Sequence, residues 1–335
     1  VLKHFDVPET TAFFAELGVK LKREETGKLF PTTDKASTVL NALVQETERF
    51  AEIRPGHRVE SVQHDGVLFK LDGTFGQMQA KKLILATGGK SIPQTGSDGQ
   101  GYLFAQGLGH TITPRIFPAL VPLTVPRNHW IRDLKGITLP VTLELWTPTG
   151  KRVESFTNSM LCTHFGLSGP AVLDMSRYYL DAVNVDPGIT LTINWLGDLD
   201  YESFSNQLKS ERKQSVLQIL RQSLPDRLAR TLVEQAGILS EQTNLPANQL
   251  PKKVRQSIAK IATRFPVPVA GDRGFNYAEV TAGGVPLKEL RLSTMSSRIV
   301  PNLHFCGEIL NVDGRIGGFN FQWAWASGYI AGNSV

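Results

Sequence analysis

Residues 82–89 read Lys82-Leu83-Ile84-Leu85-Ala86-Thr87-Gly88-Gly89. A short apolar run closed by two glycines predicts a strand covered on both faces, without a wet side. In an open α/β sheet, ligands collect beyond the carboxyl ends of such strands. A glycine at that point lets the backbone approach a ligand closely, because it has no Cβ. The same letters also suit a buried strand followed by an ordinary turn.

Upstream, the pattern is mixed α/β. Pro8-Glu9-Thr10-Thr11 opens a short helix with Phe13, Phe14 and Leu17 on its apolar face, and Gly18 sits where a C′ glycine belongs. Residues 19–21 suit a short strand. Asp34 is expected to cap a second helix, which carries Val39, Leu40, Leu43 and Val44 at helical spacing. The period then switches. Residues 58–63 and 67–71 are strand-like, joined by His64-Asp65-Gly66. After Asp72-Gly73 a third strand is expected over 77–86, leading into the opening stretch.

Downstream, residues 138–145, 153–156 and 189–195 carry β-branched alternation, with Pro148-Thr149-Gly150 and Asp186-Pro187-Gly188 as turns. Residues 198–263 read as helices punctuated by the Leu-Pro pairs at 224, 245 and 250. Residues 264–335 return to α/β character, with a strand at 303–306 and a helix at 322–331. The expected fold class is α/β and discontinuous. Residues 1–123 and 277–335 form one domain, interrupted by a β-rich and helical insert over 124–276.

At 335 residues, the chain has room for about two domains. Hydrophobic residues at 41% and charged residues at 20% exclude a disordered chain. No apolar run reaches the roughly 18 residues that a membrane span needs, so no membrane partner is expected. The opening VLKHFDVPET lacks the apolar core of a signal peptide. Cys162 and Cys306 are the only cysteines, too few for a disulfide framework or a Cys-rich zinc site, and a reducing, cytoplasmic setting is expected. A net charge of +5 permits an anionic ligand without demanding nucleic acid.

Three further blocks could carry chemistry. Phe305-Cys306-Gly307-Glu308, Val312-Asp313-Gly314 and Gly317-Gly318-Phe319-Asn320-Phe321-Gln322 describe a strand, a Gly-acid pair and a glycine-rich loop that opens a helix. The free N–H groups at that helix start suit an anionic or electron-rich ligand atom, and Glu308 could accept from sugar-like hydroxyls. A capped surface loop is the plainer alternative. Thr281-Ala282-Gly283-Gly284-Val285 again suggests close backbone approach, or a flexible turn. In Thr163-His164-Phe165-Gly166-Leu167-Ser168-Gly169-Pro170, Ser168 suits an N-cap or near-cap position and Pro170 the first turn of a helix running to Leu180. A hydrolase elbow needs glycine where Pro170 stands. His164 is the one candidate catalytic side chain, with a structural role as the alternative. The other histidines show no metal-binding spacing, so no metal is expected. Lys252, Lys253, Arg255, Lys260 and Arg264 form a basic helical stretch, either a solvated face or a surface for an acidic partner or nucleic acid.

Taken in order, the blocks at 85–89, 95–99, 118–123, 163–170, 281–285, 294–295 and 307–322 resemble the BaiN/YhiN-like FAD-dependent oxidoreductases, also described as aminoacetone-oxidase-like flavoproteins. The resemblance covers nearly the whole chain. It implies a two-dinucleotide-binding-type FAD domain interrupted by a β-barrel-like and helical insert. It also implies that Ala86, Thr87, Gly88 and Gly89 pass near the FAD diphosphate and ribose, and that Gly307 and Glu308 lie by the ribityl chain. Asp313, Gly317, Gly318, Phe319, Asn320 and Gln322 would lie at the flavin ring, with Gly283 and Gly284 approaching it from a returning strand. The implied activity is hydride transfer through flavin N5 to or from a small-molecule substrate, with NAD(P)H or oxygen as redox partner. The oligomeric state is left open.

Two departures stand out. Position 311 is Asn where the resemblance expects Asp. The opening Gly-x-Gly-x-x-Gly unit is absent, which leads us to expect a truncated N-terminus. Losing three hydrogen bonds to a charged diphosphate would lower affinity by roughly 10³–10⁶. A flavin-free binding protein and a nucleic-acid-associated flavoprotein are the alternatives.

Overall fold

The Asp6 carboxylate accepts the Glu9 N–H at 3.0 Å, and Glu9 reaches back to the Asp6 N–H at 2.7 Å. This capping box satisfies two otherwise orphaned donors and starts α1 (Val7–Glu16). A hairpin of β1 (Leu21–Arg23) and β2 (Leu29–Pro31) follows, then α2 (Ala36–Glu48). Asp34 does not cap α2. It sits in the left-handed region at φ 54° and pairs with Lys22 at 2.7 Å, and Lys35 takes the N-cap position with no side-chain bond. The computed structural model describes residues 1–335. It divides into two units, one of residues 1–117 and 280–335 and the other of residues 118–279.

In the first unit, β3 (Val59–His64), β4 (Phe69–Gly73) and β5 (Gly76–Ala80) form an antiparallel meander. The single strand expected over 77–86 is two. β5 is largely exposed and pairs with β4, whereas β6 (Leu83–Leu85), beyond exposed Lys81 and Lys82, joins another sheet. Alternation could not show this, because both halves are strands and only the partner changes. Helix α3 (Gln100–Gly107) follows, and β7 (Phe117–Ala119) spans the boundary between the units.

The second unit carries β8 (Leu123–Thr124), β9 (Thr138–Trp146), β10 (Arg152–Cys162), β11 (Gly166–Ser168), β12 (Thr190–Asn194), β13 (Phe265–Pro266) and β14 (Gly271–Asp272). These build a seven-stranded sheet in the order β13-β12-β9-β10-β11-β8-β14, and every pairing is antiparallel. No ladder joins β13 to β14, so the sheet stays open and closes no barrel, which corrects the barrel-like expectation. The helices are α4 (Pro170–Val185), α5 (Tyr201–Ser210), α6 (Val216–Arg221), α7 (Asp226–Gln235) and α8 (Lys252–Thr263). Their apolar faces share one buried cluster with the sheet, around Leu143, Met160, Trp195, Leu220 and Leu232. Ser168 ends β11 and does not cap α4. Gly169 takes that place at φ 89°, where a Cβ would press on the backbone of Ser159 to Leu161.

The chain then returns to the first unit with β14's successors: β15 (Val280–Ala282), β16 (Leu290–Arg291), β17 (Ser296–Ser297), β18 (Leu303–Phe305) and α9 (Phe319–Gly332). β18 pairs in parallel with β6, Leu303 opposite Leu83 and Phe305 opposite Leu85. The distant ends of the chain therefore share a four-stranded sheet, β16-β17-β18-β6. Its core gathers Phe69, Leu85, Tyr102, Leu303, Phe305 and Trp323. Parallel β6 and β18 run their carboxyl ends to Thr87 and Gly307 together, which positions the site. No helix is long and apolar enough to cross a membrane.

Candidate functional site

The turn after β6 leaves Ala86 and Thr87 exposed and folds Gly88 to φ 69°, where a Cβ would lie 2.6 Å from Ser97 Oγ. Gly89 is buried. A Cβ there would fall on the Thr281 hydroxyl and lie 2.6 Å from Glu308 Oε1. The Thr281 hydroxyl oxygen accepts the N–H groups of Lys90 at 2.7 Å and Ser91 at 3.1 Å. The Thr281 N–H donates to Glu308 Oε1 at 2.6 Å. Three segments far apart in sequence are thus locked at the carboxyl ends of β6 and β18.

Burial pushes the Glu308 carboxyl above its ordinary value, the Thr281 hydrogen bonds oppose this, and the Asp313 charge adds to it. Its second oxygen has no protein partner. The Tyr102 phenol is buried without a hydrogen bond, and burial and then the charge of Glu308 push its pKa up. Gly307 is gripped by α9. Its carbonyl accepts Trp323 Nε1–H at 3.0 Å, and its N–H donates to Ser327 Oγ at 2.9 Å. At φ 75°, Gly307 faces open space where a Cβ would stand. Burial pushes the Cys306 thiol up to about 11, so it is no thiolate nucleophile near neutral pH.

The glycine-rich loop ends in Gly317 at φ 135° and Gly318 at φ 89°, and Gly318 is the α9 N-cap without a side-chain bond. The first N–H groups of α9 are therefore open to an acceptor, at the positive end of the helix dipole. Asn320 clamps this loop from both sides, its Oδ1 accepting the Gly314 N–H at 2.8 Å and its Nδ2 donating to the Gly314 carbonyl at 2.9 Å. Gln322 is committed elsewhere, donating to the Phe5 carbonyl at 2.8 Å and bonding the Thr10 hydroxyl. Phe319 and Phe321 are 50% and 69% exposed beside the open helix start. Gly283 and Gly284 meet protein, since Cβ atoms there would press on the Arg115 and Ile309 carbonyls. Their backbone freedom is used in packing.

An orphaned phenol, a half-buried carboxyl with one oxygen unpaired, open space at Gly307 and an uncapped helix flanked by exposed rings suit a ligand with several hydroxyls and a planar ring. The flavin and ribityl half of FAD has those features. No Gly-x-Gly-x-x-Gly stands in the 335 residues to take the diphosphate.

In the second unit, His164 sits exposed on the turn before β11. Its carbonyl accepts Arg132 Nε–H at 2.6 Å, and its ring lies edge-on to Phe165. The imidazole nitrogens carry no protein hydrogen bond. Lys252, Lys253 and Lys260 on α8 are exposed and make no ion pair.

A family model described as the HI0933-like protein Rossmann domain matches residues 1–334. The chain belongs to the HI0933-like family. It is 35% identical over 321 residues to a ribosomal RNA dihydrouridine synthase of Escherichia coli K12, covering 95% of this chain and 76% of that protein. A protein of the same name from Haemophilus influenzae is 36% identical, covering 96% of this chain and 78% of that protein. A 3-dehydro-bile acid delta(4,6)-reductase of Clostridium scindens is 32% identical, covering 100% of this chain and 81% of that protein. Membership places the chain among flavin-type oxidoreductases with a Rossmann-like fold, at the level of the family.

Within this HI0933-like framework, sequence reasoning singled out the glycines and missed the side chains that order them. Thr281 lies two residues before the Gly283-Gly284 pair, and that position is the available signal. Trp323 and Ser327 lie four apart on α9, a helical spacing that puts both toward Gly307. Nothing in the local pattern around Tyr102 marks a buried phenol without a partner.

Proposed function

We propose that the protein is an FAD-dependent reductase of a carbon–carbon double bond conjugated to a carbonyl group. The observation that carries the reading is the half-buried Glu308 carboxyl. One oxygen is tied to the Thr281 N–H and the other is left for a ligand hydroxyl, next to Gly307, which α9 holds. FAD, when bound, supplies hydride transfer at N5. Glu308 would accept from a ribityl or ribose hydroxyl, the Thr87–Gly89 turn would let the ligand approach the backbone, and the α9 N–H groups would stabilise negative charge on the ring edge. The narrower substrate class is supported by the relatives' names, since making dihydrouridine and removing a delta(4,6) unsaturation both saturate a carbon–carbon double bond. Such a reduction also needs a proton at the carbon next to the carbonyl, and His164 is our candidate donor.

Purified protein mixed with FAD, freed of excess and reduced anaerobically with NADH or NADPH, tests the reading. We expect retained flavin that bleaches on reduction and recovers when an enone is added, with the saturated product detected by mass. Failure to retain flavin, or recovery only with oxygen, would overturn it.

Charge favours a second reading, in which the double bond belongs to a uracil in RNA. Residues 201–264 hold eleven Lys and Arg against five Asp and Glu, an excess larger than the +5 of the whole chain. Two of the relatives carry RNA in their names. Binding to RNA that weakens steeply with salt would support this reading, and no binding at low salt would remove it.

A further inference from the structure

Arg273 is a cation without an anion. Its guanidinium lies 3.8 Å from the Tyr277 ring centroid and 4.3 Å from that of Phe165. It makes no ion pair and no side-chain hydrogen bond. The adjacent Asp272 carboxylate is turned away onto the Gly274 N–H at 2.6 Å. Stacked against two rings, the guanidinium has lost rotamer freedom while keeping its in-plane N–H donors uncommitted, which is the state of a pre-organised binding group.

The supports on either side are fixed. The Arg273 N–H donates to the Pro122 carbonyl at 3.1 Å, and the Tyr277 N–H to the Gly274 carbonyl at 3.1 Å. Phe165 sits in a turn whose Thr163 hydroxyl bonds both the N–H and the carbonyl of Gly166. β11 and β14 both pair with β8, Gly166 and Gly271 each opposite Thr124. The strand arrangement therefore brings the His164–Phe165 turn to Arg273. Exposed Tyr277 lies against the guanidinium, and exposed His164 stands edge-on to Phe165 on its other support.

We propose that Arg273 anchors the carbonyl oxygen of the substrate while Tyr277 and Phe165 frame a stacking surface for its planar, carbonyl-conjugated ring. The ligand class rests on the reductase reading above. A flat ring offers its face to an aromatic side chain and its carbonyl edge to a guanidinium. The saturated ring puckers, so the product stacks less well and leaves.

Equilibrium titration of the full chain with uridine, 5,6-dihydrouridine and a 3-oxo-4-ene steroid tests this without relying on turnover. We expect at least one unsaturated probe to bind, and Arg273→Met to weaken it by about 10- to 100-fold, the scale of a lost charge-assisted hydrogen bond. Tyr277→Ala should weaken it less, Lys151→Met on the exposed turn before β10 should leave it unchanged, and melting temperature and FAD retention should not move in Arg273→Met. Which probe binds distinguishes a nucleobase from a steroid source. Equal affinity of wild type and Arg273→Met, no binding of either unsaturated probe, or an equal loss in Lys151→Met would overturn the proposal. Arg273-dependent binding by a chain that retains no flavin would sustain the anchor and sink the reductase reading.

Discussion

The backbone N–H of Thr281 meets Glu308 Oε1 at 2.6 Å, while the Thr281 hydroxyl oxygen accepts the N–H groups of Lys90 and Ser91. One threonine therefore holds the turn after β6 and the turn after β18 together. Thr281→Val keeps the shape and removes the acceptor, leaving two N–H groups in a buried setting. We expect a loss of about 2–4 kcal/mol from unsatisfied donors, read as a lower urea midpoint with an unchanged slope. Thr281→Ser should recover most of it.

Gly89 is required by what stands opposite it. A Cβ would strike the Thr281 hydroxyl and crowd Glu308 Oε1 at 2.6 Å, and neither can withdraw without breaking the lock just described. Gly89→Ala should cost about 1–3 kcal/mol, as overpacking does, and lower flavin retention in the same preparation. Gly107→Ala is a suitable comparison, because Gly107, like Gly89, is not in the left-handed region and nothing lies within 4 Å of its Cβ position.

Glu308 sets a pH dependence with a definite sign. Burial is the largest influence on its carboxyl and raises its pKa above the ordinary 4.5. The native state thus holds its proton where the unfolded chain has released it. The contribution is full below about pH 4.5 and is lost as pH rises through the folded value. Glu308→Gln cannot ionise. The stability of wild type minus that of Glu308→Gln should fall as pH rises from 4.5 toward neutrality, measured by urea unfolding of flavin-free protein. A flat or rising difference would refute it.

The segments that become β6 and β18 were legible as strands and were assigned to one discontinuous domain, but their parallel pairing appears only in the structure. Leu83–Leu85 is an apolar run ending in glycines, and Leu303–Phe305 is a short apolar strand ending in Gly-Glu. What periodicity could not give was the break between β5 and β6, because a strand carries no mark of which partner it joins. Capping was misread at Asp34, a good cap residue that pairs with Lys22 instead. Ser168 keeps a near-cap place, with tight packing at Gly169 putting the cap itself one residue on. The glycines of the site were visible as letters. Whether a glycine faces open space, as Gly307 does, or a neighbouring carbonyl, as Gly284 does, is decided by tertiary packing alone.

A second polar lock, away from the site, offers the opposite pH sign. His110 has a fully buried side chain, with Nδ1 2.8 Å from Glu289 Oε2 and Nε2 2.8 Å from Ser297 Oγ. Glu289 also takes the N–H and hydroxyl of Thr111. Ser297 Oγ accepts the N–H groups of Ile299 and Val300, so its lone pairs are occupied and the arrangement is a structural tie, without the free nucleophile of a hydrolase. For Glu289, burial pushes upward, but the Thr111 bonds and His110 together outweigh it and hold the carboxyl below 4.5. Its stabilisation is therefore present above pH 4.5 and lost as pH falls through the folded value. His110→Phe fills the space but strands Glu289 and Ser297, and should cost about 2–4 kcal/mol near neutral pH. Because it removes one of the groups that lower the Glu289 pKa, the gap to wild type should narrow in acid. Urea unfolding at pH 7 and pH 4 measures both, and an equal gap at the two values would show that the imidazole contributes packing alone.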